Sequence, residues 1–122
     1  MAKIGLKNSN FVVDEDLTLE EAMRVITVNK KGTAIVLDKQ NHVVGVVSDG
    51  DIRRAMIKGA TMLTPIYKVM NSNVKTITLE NKEILSKPQK FFDENRHIHL
   101  LPVVNKDNKL VDLLVLDYNP AK

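Results

Sequence analysis

The stretch Ala34-Ile35-Val36-Leu37-Asp38-Lys39-Gln40-Asn41-His42-Val43-Val44-Gly45-Val46-Val47-Ser48-Asp49-Gly50-Asp51 decides the fold. Two apolar, β-branched runs flank a short polar turn rich in Asn and Asp, the pattern of a β-hairpin. The second run ends on a small hydroxyl residue and passes through Asp-Gly-Asp into Ile52-Arg53-Arg54-Ala55-Met56, which reads as a basic helix reaching Lys58. Ser48 and Asp51 stand three residues apart, the spacing of a capping box.

The hairpin has a copy. Leu101-Pro102-Val103-Val104, the turn Asn105-Lys106-Asp107-Asn108-Lys109 and Leu110–Leu116 repeat it, with Asp112 where the first copy has Gly45, an offset of 67 residues. A helical segment precedes each hairpin. Thr18 and Glu21 form a capping-box pattern ahead of Leu19, Ala22, Met23 and Ile26. Ser86 and Gln89 form another, with Pro88 in the first turn, where its missing N–H is harmless. Short strands are expected near Phe11–Val13 and Val74–Thr78, and a short helix from Pro65 through Met70. The order is β-α-β-β-α twice, an α+β chain whose last helix is truncated after Leu116. Neither small sheet buries both faces alone, so residues 1–62 and 63–122 are expected to pack as one pseudo-two-fold module. Continuation into another domain past the second repeat is the corresponding expectation.

Composition narrows the function. The 122 residues are 43% hydrophobic, with two Tyr, three Phe and no Trp, so the core must be aliphatic. There is no cysteine, which removes thiolate metal sites and suits a cytoplasmic protein. No run is long enough to span a bilayer. The net charge of +3 is spread among acids without a basic stripe or an aromatic stacking platform, so nucleic acid is not an expected partner. His97 and His99 share a strand face but lack a third ligand at metal-site spacing, and no metal is expected. No nucleophile-and-base order and no phosphate-loop motif are present, so the chain itself is not read as an enzyme.

The duplicated unit, with Gly45-x-x-Ser48-x-x-Asp51 after its second hairpin strand, resembles the cystathionine β-synthase (CBS) domain pair from about Asn10 to Asp117. Val47-Ser48-Asp49-Gly50-Asp51-Ile52-Arg53-Arg54, with Val69-Met70-Asn71 further on, looks most like the CBS pair preceding the catalytic domain of bacterial sugar-phosphate nucleotidyltransferases. A similar run occurs in the CBS pairs of arabinose-5-phosphate isomerases. The resemblance implies no catalytic cofactor but a regulatory ligand, an adenosine compound such as AMP, ADP, ATP or S-adenosylmethionine, held between the repeats. It also implies a homodimer and a covalently attached catalytic domain. Carried over by position, Ser48 and Asp51 would hold ribose hydroxyls, and Thr33 and Ala34 would offer backbone groups to the base. Val12 and Val13 would wall the ring. Asp49 and Gly50 line the same junction, and Arg53, Arg54 or His97 would meet phosphate against the opposing acids. Gly50, costly inside a first helical turn, points to close approach by a ligand or by backbone. A ligand-free dimerisation module is the competing reading, with Ser48 and Asp51 capping and nothing more. In the second repeat Ser48 and Asp51 correspond to Val115 and Tyr118, so one competent site per chain is expected.

Overall fold

The computed structural model describes residues 10–116. Tyr118, the counterpart of Asp51, lies outside them. Strand β1 (Val12–Asp14) pairs in parallel with β2 (Thr33–Leu37), which pairs antiparallel with β3 (Val43–Ser48). β4 (Ile77–Thr78), β5 (Leu100–Val104) and β6 (Leu110–Val115) repeat that arrangement in a second three-stranded sheet. The 67-residue offset survives as matched rungs. Val36 pairs with Gly45 and Thr33 with Ser48, while Val103 pairs with Asp112 and Leu100 with Val115. Both hairpins also shift register one rung before the turn.

The sheets meet end to end and face to face. Asn41 and Asn108, each at positive φ, sit in the two turns. Val43 N–H donates to the Asn108 carbonyl at 3.0 Å, and Leu110 N–H to the Asn41 carbonyl at 3.0 Å. The Asn108 side-chain amide adds a bond to the Val43 carbonyl at 2.9 Å. Ile35, Leu37 and Val43 pack against Leu100, Val104, Leu110 and Leu113 to form a central apolar layer. A second layer joins the outer face of the first sheet to helices α1 (Leu19–Asn29) and α2 (Asp49–Ile57). The third joins the other sheet to α3 (Lys82–Ser86) through Ile84 and Leu85 and to α4 (Pro88–Glu94) through Phe91 and Phe92. Strands β2 and β5, central in their sheets, are covered on both faces along nearly their whole length, as an aliphatic core requires.

Two helix starts differ from the sequence expectation. Thr18 occupies the N-cap of α1 but its side chain makes no capping bond. The Leu19 and Glu20 amides donate instead to the Thr64 and Met62 carbonyls at 2.9 and 3.1 Å, so the connection between the repeats caps this helix. The expected Ser86/Gln89 box is also absent. Ser86 ends α3, its hydroxyl donating to the Glu83 carbonyl, and Gln89 bonds Asp93. Lys87, the residue before Pro88, is excluded from helical dihedrals by the proline ring and lies at φ −138°, ψ 65°. The helical stretch therefore breaks into two, with Asn81 capping the first through the Ile84 amide at 3.1 Å.

After α2 the chain crosses to the second sheet through a single 3-10 turn, Ile66–Lys68, shorter than the expected helix. Asn71 then bridges β3, exchanging 2.8 and 2.9 Å hydrogen bonds with Val46. The bridge lies across Gly45. A Cβ there would sit 2.9 Å from Met70 Sδ and 3.0 Å from the Asn71 carbonyl oxygen. Glycine at this rung is thus a requirement of close backbone approach.

Candidate functional site

At the end of β3 the capping box forms in full. Ser48 Oγ accepts the Asp51 amide at 3.1 Å, and Asp51 Oδ2 accepts the Ser48 amide at 3.0 Å. Asp51 Oδ1 accepts from the Arg54 guanidinium at 3.0 Å. Each carboxylate oxygen keeps a free lone pair, and the Ser48 hydroxyl keeps a proton to donate. The capping role and a hydroxyl-binding role therefore do not compete for the same valences. Capping fixes both side chains in place.

Gly50 has a close neighbour that the sequence did not reveal. Its missing Cβ would meet Arg54 Nη1 at 3.0 Å and Nη2 at 3.3 Å. The glycine leaves room for the arginine to fold back over the first helical turn onto Asp51, so the group that approaches closely is a side chain of the same helix.

Ser48 and Asp51 open onto a cleft of about 960 Å³ between the two sheets. Thr33 lines it beside them, its hydroxyl donating to the Val47 carbonyl at 3.0 Å. The opposite wall comes from the second half of the chain: Asn73 to Thr76 ahead of β4, and Asn95 with His97 to Leu100 ahead of and opening β5. Lys31 and Lys75 are the lysines lining the cleft, and Asp51, already paired, is the one acid among the described residues lining it. The balance suits an anionic ligand of nucleotide size.

Of the residues named from the sequence, Ser48, Asp51, Thr33 and His97 come together here. Val13 and Ala34 are buried in the layer beneath the helices, and Val12 packs against the central layer. Asp49, Gly50, Arg53 and Arg54 do not line the cleft, with Arg53 and Arg54 on the exposed face of α2. His99, paired with His97 in the sequence, lines it too, and so do Lys31 and Lys75, which had not been singled out because nothing local marks a lysine that faces a cavity formed by distant segments. A second cavity of about 670 Å³, containing Arg96, lies beside the first and shares Lys31, Gly32 and His99 with it. Among the described residues no cluster of three or more His, Cys, Asp or Glu is placed to hold a metal ion, and no helix is long and apolar enough to cross a membrane.

At the equivalent strand end of the second half, the described residues offer no such hydroxyl. Val115 stands on the rung of Ser48, and Asp112 on that of Gly45 is buried, with Oδ1 accepting the Leu113 amide at 2.8 Å.

Comparison with known proteins agrees with this architecture. Residues 5–58 match the family model of the CBS domain. The chain is 36% identical over 96 residues to a probable arabinose 5-phosphate isomerase of Haemophilus influenzae, covering 77% of this chain and 27% of that protein. It is 30% identical over 99 residues to an uncharacterized protein of Helicobacter pylori, covering 81% of this chain and 30% of that one. The chain thus spans less than a third of the length of these relatives. Among solved structures, a CBS domain protein from Pyrobaculum aerophilum complexed with AMP superposes with a TM-score of 0.67 at 24% identity, over 91% of this chain and 86% of that one. Residues 5–58 thus resemble a CBS domain, and the described residues have the fold of a CBS domain pair.

Proposed function

We propose that this CBS domain pair is a regulatory module that binds an adenosine nucleotide in the cleft between its repeats and biases an attached catalytic domain. The cleft carries the reading: a preorganised hydroxyl and carboxylate, Ser48 and Asp51, on one wall of a cavity of about 960 Å³ whose remaining charges are cationic. Ser48 and Asp51 take the ribose hydroxyls, Thr33 stands toward the base, and Lys31, Lys75 and His97 face the phosphates. AMP, ADP and ATP suit that charge better than S-adenosylmethionine, whose sulfonium adds a cation.

The site is single. Its counterpart offers Val115, which cannot hydrogen-bond, in place of Ser48. Regulation follows from differential affinity of the ligand for two arrangements of the repeats, in a cytoplasmic homodimer. For the attached domain, the Ser48–Arg54 run resembles that of sugar-phosphate nucleotidyltransferases, whereas the identity to an arabinose 5-phosphate isomerase favours the isomerase. Both readings place the module beside a sugar-phosphate enzyme.

Thermal unfolding with AMP, ADP, ATP and S-adenosylmethionine tests the proposal. A ligand at 100 times its Kd adds about 2.7 kcal/mol, a rise of several degrees. No rise with any of the four leaves the ligand-free dimerisation module as the better account.

A further inference from the structure

The turn between α1 and β2, residues 30–32, holds three partners at once. Lys30 at φ 59° and Gly32 at φ 76° give it its shape. The Gly32 carbonyl accepts the amide of Asp49, the first residue of α2, at 3.0 Å. The Lys31 carbonyl lies 2.9 Å from His99 Nδ1. The Lys31 ammonium donates to the carbonyl of Leu116, directly after β6. Leu116 in turn donates its amide to the His99 carbonyl at 2.9 Å. Lys31 thus stands in the wall between the two cavities and lines both.

A neutral carbonyl is a weaker partner for an ammonium than a phosphate. We propose that Lys31 is a latch: a phosphate in the cleft draws its ammonium away from the Leu116 carbonyl, so that occupancy of the cleft is felt where β6 ends. The inference rests on the nucleotide reading and adds the route by which binding leaves the site. The lysine stem re-aims its charge without moving the backbone, and the bonds to Asp49 and His99 keep the turn anchored while it does. Lys75, across the cleft, has no hydrogen bond or ion pair among the described residues to give up, so a phosphate seated on Lys75 alone would leave Leu116 untouched.

Nuclear magnetic resonance on the isotope-labelled 122-residue chain separates these cases, with adenosine, AMP and ATP as the probes. The Ser48 and Asp51 amides report binding; the Leu116 carbonyl carbon and the Lys31 side chain report the latch. AMP and ATP are expected to shift both sets and to speed Leu116 amide exchange several-fold, whereas adenosine shifts only the first. In Lys31→Met the Leu116 carbonyl is expected to start at its released position and to stay there when ATP is added. Binding of AMP or ATP with no movement at Leu116, or movement as large with adenosine, overturns the latch and leaves the nucleotide reading standing. No response at Ser48 or Asp51 removes that reading and the latch with it.

Discussion

Strands β3 and β6 reach their ends on equivalent rungs of equivalent hairpins, yet one delivers Gly45 and Ser48 where the other delivers Asp112 and Val115. The shared register comes from features that both halves possess: apolar strands, a five-residue polar turn and an asparagine at positive φ. The differing residues come under separate demands. Gly45 is crossed by Met70 and the Asn71 bridge, and Ser48 starts a helix whose first turn it shares with Asp51. The two halves share a frame, and among the described residues the capped hydroxyl-and-carboxylate pair stands at the end of β3.

Placing the second repeat's residue in the first tests this difference most severely. Gly45→Asp would drive a carboxylate against the Asn71 carbonyl and is expected to lower the thermal midpoint most. Gly45→Ala isolates the steric part, at about 1–3 kcal/mol for overpacking. If the alanine variant melts like the parent, the bridge does not press on this rung. The next effect separates the two helix starts of the first repeat. Ser48→Ala removes a capping bond and is expected to cost about 1 kcal/mol. Thr18→Ala removes no capping bond and should stay within about 0.5 kcal/mol in urea titration. Equal losses would contradict the assignment of α1's cap to the carbonyls of Met62 and Thr64.

The smallest expected effect lies in the hairpin turns. Asp38 Oδ1 accepts the Gln40 and His42 amides at 2.9 Å each, and Asn105 Oδ1 accepts the Asp107 and Lys109 amides at 2.9 and 3.0 Å. The two turns share a design, one with a titratable acceptor and one with a neutral amide in its place. Burial pushes the Asp38 carboxyl up, but hydrogen bonds from the His42 amide, the His42 ring and the Gln40 amide outweigh it and hold the group below its ordinary value. A depressed carboxyl contributes stability that is full above the unfolded-state pKa of about 3.9 and fades as pH falls through the folded value. Asp38→Asn should therefore make urea midpoints less sensitive to acidification below about pH 4, by a small amount because the turn is solvent-facing. An unchanged pH profile would make the two turns equivalent in charge as well as in shape.

The hairpins and their 67-residue offset were legible because alternation, turn residues and repetition are all local or self-comparing signals. The Ser48–Asp51 box was legible for the same reason. The cap of α1 was not, since its acceptors lie more than forty residues downstream. The Arg54 side chain beside Gly50 was not legible, because the path of a long side chain depends on its partner Asp51. The break at Lys87 follows from a rule about residues preceding proline, which the capping pattern at Ser86 obscured. Half of the cleft wall, Lys31 and Lys75 included, exists only once two remote segments meet.

Calorimetric titration of the chain with AMP, beside Asp51→Asn, tests the central claim most directly. The asparagine can still accept the Ser48 amide, so the cap is retained while the carboxylate charge is lost. One AMP per chain is expected, with affinity falling about tenfold or more in the variant, as the loss of a charge-assisted hydrogen bond worth about 1.5–3 kcal/mol requires. Two AMP per chain, an affinity indifferent to Asp51→Asn, or no binding at all would contradict a single ribose clamp at the end of β3.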